Sequence, residues 1–139
     1  MQDMPPVLGE HNKLEQVFIN IISNARDSLD EFEAVVKDYQ NNGNIPQWLE
    51  AWSKKIVLST YQEGDFILIT ITDTGAGIPK NIIDKIFEPF FTTKEVGKGT
   101  GLGLSITYGI VSEFGGTIEV ETEEMKGCKF ILRFPVFKK

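Results

Sequence analysis

A chain of 139 residues has room for one compact domain and little room for two, and 41% hydrophobic with 24% charged residues is enough for a packed core rather than a disordered chain. A formal net charge of −6 repels nucleic-acid backbones and anionic membranes, so an anionic ligand would have to be met by local N–H groups, single cations or a metal ion. No apolar run approaches the ~20 residues of a membrane span, and Met1 to Glu10 has neither a basic start nor an apolar stretch, so the expectation is a cytoplasmic domain without membrane contact of its own, whose parent protein could still be membrane-anchored.

The first predicted element is a helix from Asn12 to about Leu29. Asn12 is the expected N-cap, with Glu15 as its capping-box partner. Leu14, Val17, Phe18, Ile21, Ile22, Ala25, Leu29 and Phe32 recur at helical spacing as one apolar stripe. The stretch from about Phe32 to Lys55 reads as an insertion: Asn41-Asn42-Gly43-Asn44 signals a turn, and Pro46 opens a short helix over Gln47 to Trp52. Ile56 to Tyr61 and Phe66 to Thr72 read as strands joined at Glu63-Gly64-Asp65. Pro79 starts a short helix reaching about Phe87, and Glu88 to Thr100 is a loop. Leu102 to Phe114 is a second amphipathic helix stopped by Gly115-Gly116. Strands at Thr117 to Glu123 and Lys129 to Val136 finish the chain. The pattern predicts an α+β domain, a mixed, mostly antiparallel sheet with helices on one face.

Four places carry chemistry. Asn20, Asn24 and Asp27 stand four and three residues apart, so they share one side of the first helix, at the edge of its apolar stripe. Amide oxygens there suit a hard cation that keeps some of its water, as Mg²⁺ does; a solvated polar face is the plainer alternative. Asp73-Thr74-Gly75-Ala76-Gly77-Ile78-Pro79 lies between a strand and a helix. Its carboxylate can accept a hydrogen bond from an exocyclic amine such as adenine's, and the glycines admit a sharp turn and a planar ring; an Asx-type turn is the alternative.

Gly97-Lys98-Gly99-Thr100-Gly101-Leu102-Gly103-Leu104 runs directly into a helix. Bare backbone N–H groups and the helix N-terminus favour a phosphate chain, with Lys94 or Lys98 adding charge; a flexible linker is the alternative. The spacing fits neither a Walker loop nor a Rossmann turn. Between these motifs, Glu88-Pro89-Phe90-Phe91-Thr92-Thr93-Lys94 places phenylalanines in a loop, where they either latch a lid or pack into the core. His11 carries no catalytic assignment.

Taken in order, Asn20-x-x-x-Asn24, Asp73-x-Gly75-x-Gly77, Phe87-x-x-Phe90 and Gly99-x-Gly101-x-Gly103 resemble the asparagine, first glycine, phenylalanine and second glycine boxes of the sensor histidine kinases. That group belongs to the superfamily shared with gyrase, the heat-shock chaperone ATPases and the mismatch-repair ATPase. The resemblance runs from about Pro6 to Val136, apart from the insertion. It implies a two-layer α/β sandwich that binds ATP between helices and lid. It also implies that Asn24 ligates Mg²⁺ and Asn20 supports the same triphosphate end, with Asp27 beside them. Asp73 would receive the adenine amino group in a pocket shaped by Gly75, Gly77 and Ile78. Gly99, Thr100, Gly101, Leu102 and Gly103 would cradle phosphates, with Lys94 and Lys98 as charge, and Phe87 and Phe90 would belong to the lid.

Superfamily hydrolases place glutamate where Asn20 stands, and an amide cannot act as a general base, so ATP should be held for transfer rather than hydrolysed. The expected acceptor is a histidine on a separate helical dimerisation domain, and the expected downstream partner is a response-regulator receiver domain. This domain alone is expected to be a monomer. Three departures stand out: the strand that the family places before Pro5-Pro6 has no counterpart, the insertion is long, and Cys128 occupies a position where threonine is frequent. Cys128 is also the single cysteine, which rules out an internal disulfide. The competing readings are a serine kinase of the anti-sigma-factor type and a nucleotide-sensing module without phosphotransfer.

Overall fold

In the computed structural model, residues 10–91 and 103–137 are described. Helix α1 spans His11–Asn41 and the short α2 spans Gln47–Glu50. The strands are β1 (Ile56–Glu63), β2 (Phe66–Asp73), β3 (Thr117–Thr122) and β4 (Cys128–Pro135), with α3 (Gly103–Glu113) ahead of β3. They form one sheet in the order β1-β2-β4-β3. All three pairings between described strands are antiparallel, as a mostly antiparallel sheet leads one to expect.

One face of the sheet holds the core. Ile67, Ile69 and Ile71 of β2 stand opposite Phe134, Leu132 and Phe130 of β4. This face meets Val17 and Ile21 of α1 and Val111 of α3, which are completely buried. Each such side chain contributes about 1.5–3 kcal/mol by leaving water. The strict alternation of buried and half-buried residues along β4 is the period-2 signature of a strand with one face covered. β1 lies at the sheet edge beyond the helices, and all eight of its residues are exposed.

Three expectations need correction. The N-cap of α1 is Glu10, whose side chain makes no cap hydrogen bond, and Asn12 lies exposed within the first turn. The Leu14 N–H instead bonds the Glu10 carbonyl, so the helix starts on backbone geometry alone.

Secondly, α1 does not stop near Leu29; it continues to Asn41. The apolar stripe continues through Phe32 and Val36, and these form a second small core with Leu49 of α2, fringed by Tyr39, Ile45, Trp52 and Met125. Helical turns that bury a face are retained, and the helix ends only where Asn42 and Gly43 (φ +71°) turn the chain.

Thirdly, the helix expected from Pro79 is reduced to a 3₁₀ turn at Ile83–Lys85. From Pro79 to Phe91 the backbone bonds join residues three apart: Ile82 to Pro79, Lys85 to Ile82, Glu88 to Lys85 and Phe91 to Glu88. Such a string of tight turns follows the sheet surface while burying Ile86.

Candidate functional site

Asp73 ends β2 and is 4% exposed. Its Oδ1 accepts the Gly75 N–H at 2.8 Å. Burial raises its carboxyl above the ordinary carboxylate range, and the Gly75 bond pulls partly back. Among the described residues no cation pairs with it. A buried carboxylate with one oxygen engaged and no counter-ion is suited to accept an N–H from a neutral donor.

The loop after Asp73 is fixed from several directions. The Ala76 N–H bonds both the Oγ (3.0 Å) and the carbonyl (3.4 Å) of Ser28 on α1. Ala76 returns its carbonyl to the Met125 N–H at 2.6 Å, and the Ile78 N–H bonds Thr122 Oγ1 at 3.0 Å. Thr122 Oγ1 in turn donates to the Gly127 carbonyl. The glycines are required by contact. A Cβ on Gly75 would strike Ser28 and stand 2.9 Å from Asp73 Oδ1, covering the carboxylate. Gly77 has φ +71°, and a Cβ there would run into the Glu123 carbonyl.

Asn20 and Asn24 lie one turn apart on α1, and Ser28 continues the row one turn further. Asn20 is occupied: Nδ2 donates to the Gly103 carbonyl (3.0 Å) and to Thr107 Oγ1 (3.2 Å), and Oδ1 accepts from Gln16 Nε2 (2.8 Å). It therefore ties α1 to α3. Asn24 is half-buried, and no hydrogen bond among the described residues engages its side chain. Asp27, half-buried, lies 3.8 Å from Arg26.

The two phenylalanines expected in a lid part company. Phe87 packs on the core fringe, its ring 5.5 Å from that of Tyr108 on α3. Phe90 is 73% exposed with φ +68°, while its neighbour Phe91 turns inward. Ile78 and Gly103 are half-buried, one packed against the core and the other at Asn20. Cys128 pairs with Asp73 in the β2–β4 register, and its thiol is pushed up to about 12 by burial and then by the Asp73 charge. Lys94, Lys98, Gly99, Thr100, Gly101 and Leu102 lie outside the described residues.

Sequence reasoning missed Ser28, Thr122 and Phe91. Ser28 was accessible as the next member of the Asn20–Asn24 row; Thr122 carried no comparable signal.

The sequence profile of the histidine kinase-, DNA gyrase B- and HSP90-like ATPases matches residues 9–138. The chain belongs to that family. Its similar curated proteins include sensor kinase CckA of Brucella abortus, 42% identical over 134 residues, and sporulation kinase E of Bacillus subtilis, 38% identical over 136 residues. These matches cover 96% and 98% of this chain but only 14% and 15% of the relatives, so the chain spans about a seventh of their length. Among solved structures, the catalytic domain of histidine kinase ThkA is similar at a TM-score of 0.67 and 30% identity, over 94% of this chain and 70% of that one. Full-length ShkA in complex with AMPPNP shares the fold, at a TM-score of 0.70 and 22% identity over 98% of this chain and 24% of that one. The family is one of nucleotide-using domains, and the relatives are sensor kinases, as the four boxes led one to expect. Among the described residues no helix is long and apolar enough to cross a membrane.

Proposed function

We propose that this ATPase-family domain lies in the cytoplasm, binds Mg-ATP and transfers the γ-phosphoryl group to a histidine on a separate helical dimerisation domain of the same parent protein, from which it passes to a response-regulator receiver domain. The observation that carries the reading is Asp73: a buried carboxylate without a counter-ion among the described residues, framed by glycines that leave it uncovered. A purine amino group meets that requirement, because it donates a hydrogen bond without bringing a charge into a buried place.

The donor set suits a magnesium ion held jointly with its nucleotide. Among the described residues no three His, Cys, Asp or Glu side chains gather into a self-sufficient metal site. Asn24 offers an amide oxygen that no described residue engages, the single-ligand contribution expected of a metal carried in by phosphates. Bound there, the ion would supply charge neutralisation on the phosphates. Asp27 stands on the same side of α1, and Lys94, Lys98 and the glycines from Gly99 to Gly103 are assigned to the phosphate chain.

Asn20 explains why transfer is favoured over hydrolysis. Its amide is spent on Gly103, Thr107 and Gln16, and it has no basic atom to take a proton from water. The domain thus binds and orients, and the nucleophile comes from elsewhere.

The test mixes this chain, Mg²⁺ and γ-labelled ATP with the helical histidine-bearing fragment of its parent. Label that is acid-labile and base-stable on histidine is the expected result. Label on serine would establish the anti-sigma-factor type instead, and nucleotide binding without any transfer would leave a sensing module.

A further inference from the structure

The stretch between α1 and β1, unassigned in the sequence, ends in direct contact with the Asp73 loop. Trp52 follows α2 and is held by Phe32 of α1, the two rings meeting edge to face at 5.2 Å and 70°. Its indole Nε1–H donates to the Thr74 carbonyl at 2.7 Å. Thr74 Oγ1 donates to the Ser53 carbonyl (2.7 Å) and accepts the Lys55 N–H (3.0 Å), and the Thr74 N–H bonds the Lys55 carbonyl (3.2 Å). Every polar group of Thr74 is therefore taken by residues 52–55.

Thr74 contributes the carbonyl, and Gly75 the N–H, of a single planar peptide unit. That unit receives a hydrogen bond from Trp52 on one side and gives one to Asp73 Oδ1 on the other. The two bonds act in series. Fixing the carbonyl fixes the plane, and the plane aims the N–H at the carboxylate; a donor on the carbonyl also polarises the unit and strengthens the N–H as a donor. From this geometry we infer that Trp52 is a positioning residue for the Asp73 carboxylate, acting through the Thr74–Gly75 peptide, so that the segment after α1 governs affinity for the adenine base. The inference rests on the proposed reading of Asp73 as the base acceptor.

It follows that losing the indole N–H should weaken adenine nucleotides without loosening the domain. Trp52→Phe keeps a ring against Phe32 and removes the donor, and Trp52→3-benzothienylalanine keeps the bicyclic shape with sulfur in place of N–H. In both, the ADP dissociation constant should rise about threefold to tenfold, the value of one lost hydrogen bond. The Gly75 and Ala76 amides should exchange with solvent faster, while Ile71 and Phe130 in the sheet keep their rates. ADP affinity unchanged to within about twofold in the sulfur variant would overturn the proposal. So would sheet amides that accelerate together with Gly75 in that variant, since Trp52 would then be a general packing residue. Asp73→Asn separates the two readings. If that variant binds ADP as tightly as the parent, the base assignment itself fails; if it loses ADP while both Trp52 variants retain it, only the positioning role falls.

Discussion

Asp73 on β2 and Cys128 on β4 are direct partners in the antiparallel ladder, at the end of the sheet face that lies beneath the helices. Burial makes both harder to ionise, and the Asp73 charge adds to the effect on the Cys128 thiol. The consequence is a site tuned for a neutral hydrogen-bond donor, at some cost to the ligand-free protein.

That cost gives the first prediction. Burial holds the Asp73 carboxyl above its ordinary value of 3.8. A carboxyl raised in the folded state favours folding while it is protonated and loses that contribution as pH climbs through its folded value. Ligand-free Asp73→Asn should therefore gain thermal stability relative to the parent at neutral pH, and the gain should shrink as pH falls through the raised folded value and be lost below 3.8, where the parent carboxyl is protonated in both states. Melting curves over a pH series check this; an advantage that grows in acid would contradict the burial argument.

The second concerns Cys128. Its thiol, pushed up to about 12, stays protonated and 94% enclosed at ordinary pH, being 6% exposed. Because the thiolate is the reactive form, alkylation at pH 8 should run at least about tenfold slower in the native domain than in urea. Bound ADP should slow it further if the nucleotide lies over Asp73. Equal rates folded and unfolded would show that the thiol is open to solvent.

The two asparagines of α1 should behave differently in a third test. Asn20→Ala loses bonds to Gly103 and Thr107 that join two helices. It should destabilise the ligand-free domain by about 1–2 kcal/mol in urea titrations. Asn24→Ala breaks no hydrogen bond among the described residues and should change stability by under about 0.5 kcal/mol. It should instead remove the Mg²⁺ dependence of ATP binding. Retained metal dependence would move the cation away from α1.

Much of this was legible in the residues. The strand pairs, the α3 helix and the order of the four boxes follow from local pattern, because alternating Ile and Phe along β2 and β4 leave one arrangement that buries them. What escaped depends on tertiary partners. The end of α1 was misplaced because Phe32 and Val36 find cover in residues beyond a turn, Leu49, Trp52 and Met125 among them. The Pro79 helix gave way to a string of bonds three residues apart, from Pro79 to Phe91, that buries Ile86, and that burial depends on tertiary partners. Phe87, Phe90 and Phe91 look alike in composition, yet the positive φ of Phe90 turns it out and leaves Phe91 to pack. Ser28 stands in the row of Asn20 and Asn24, but its bond to Ala76 is set by the fold alone.

The account depends most on where adenine is read. Calorimetric titration of the parent chain and Asp73→Asn with ATP in the presence of Mg²⁺ tests it directly. Saturable heat with the parent and about tenfold to a hundredfold weaker binding by the variant are predicted, the scale expected when a buried hydrogen bond to a charged group is lost. No heat with the parent, or equal affinity in the two, would contradict it.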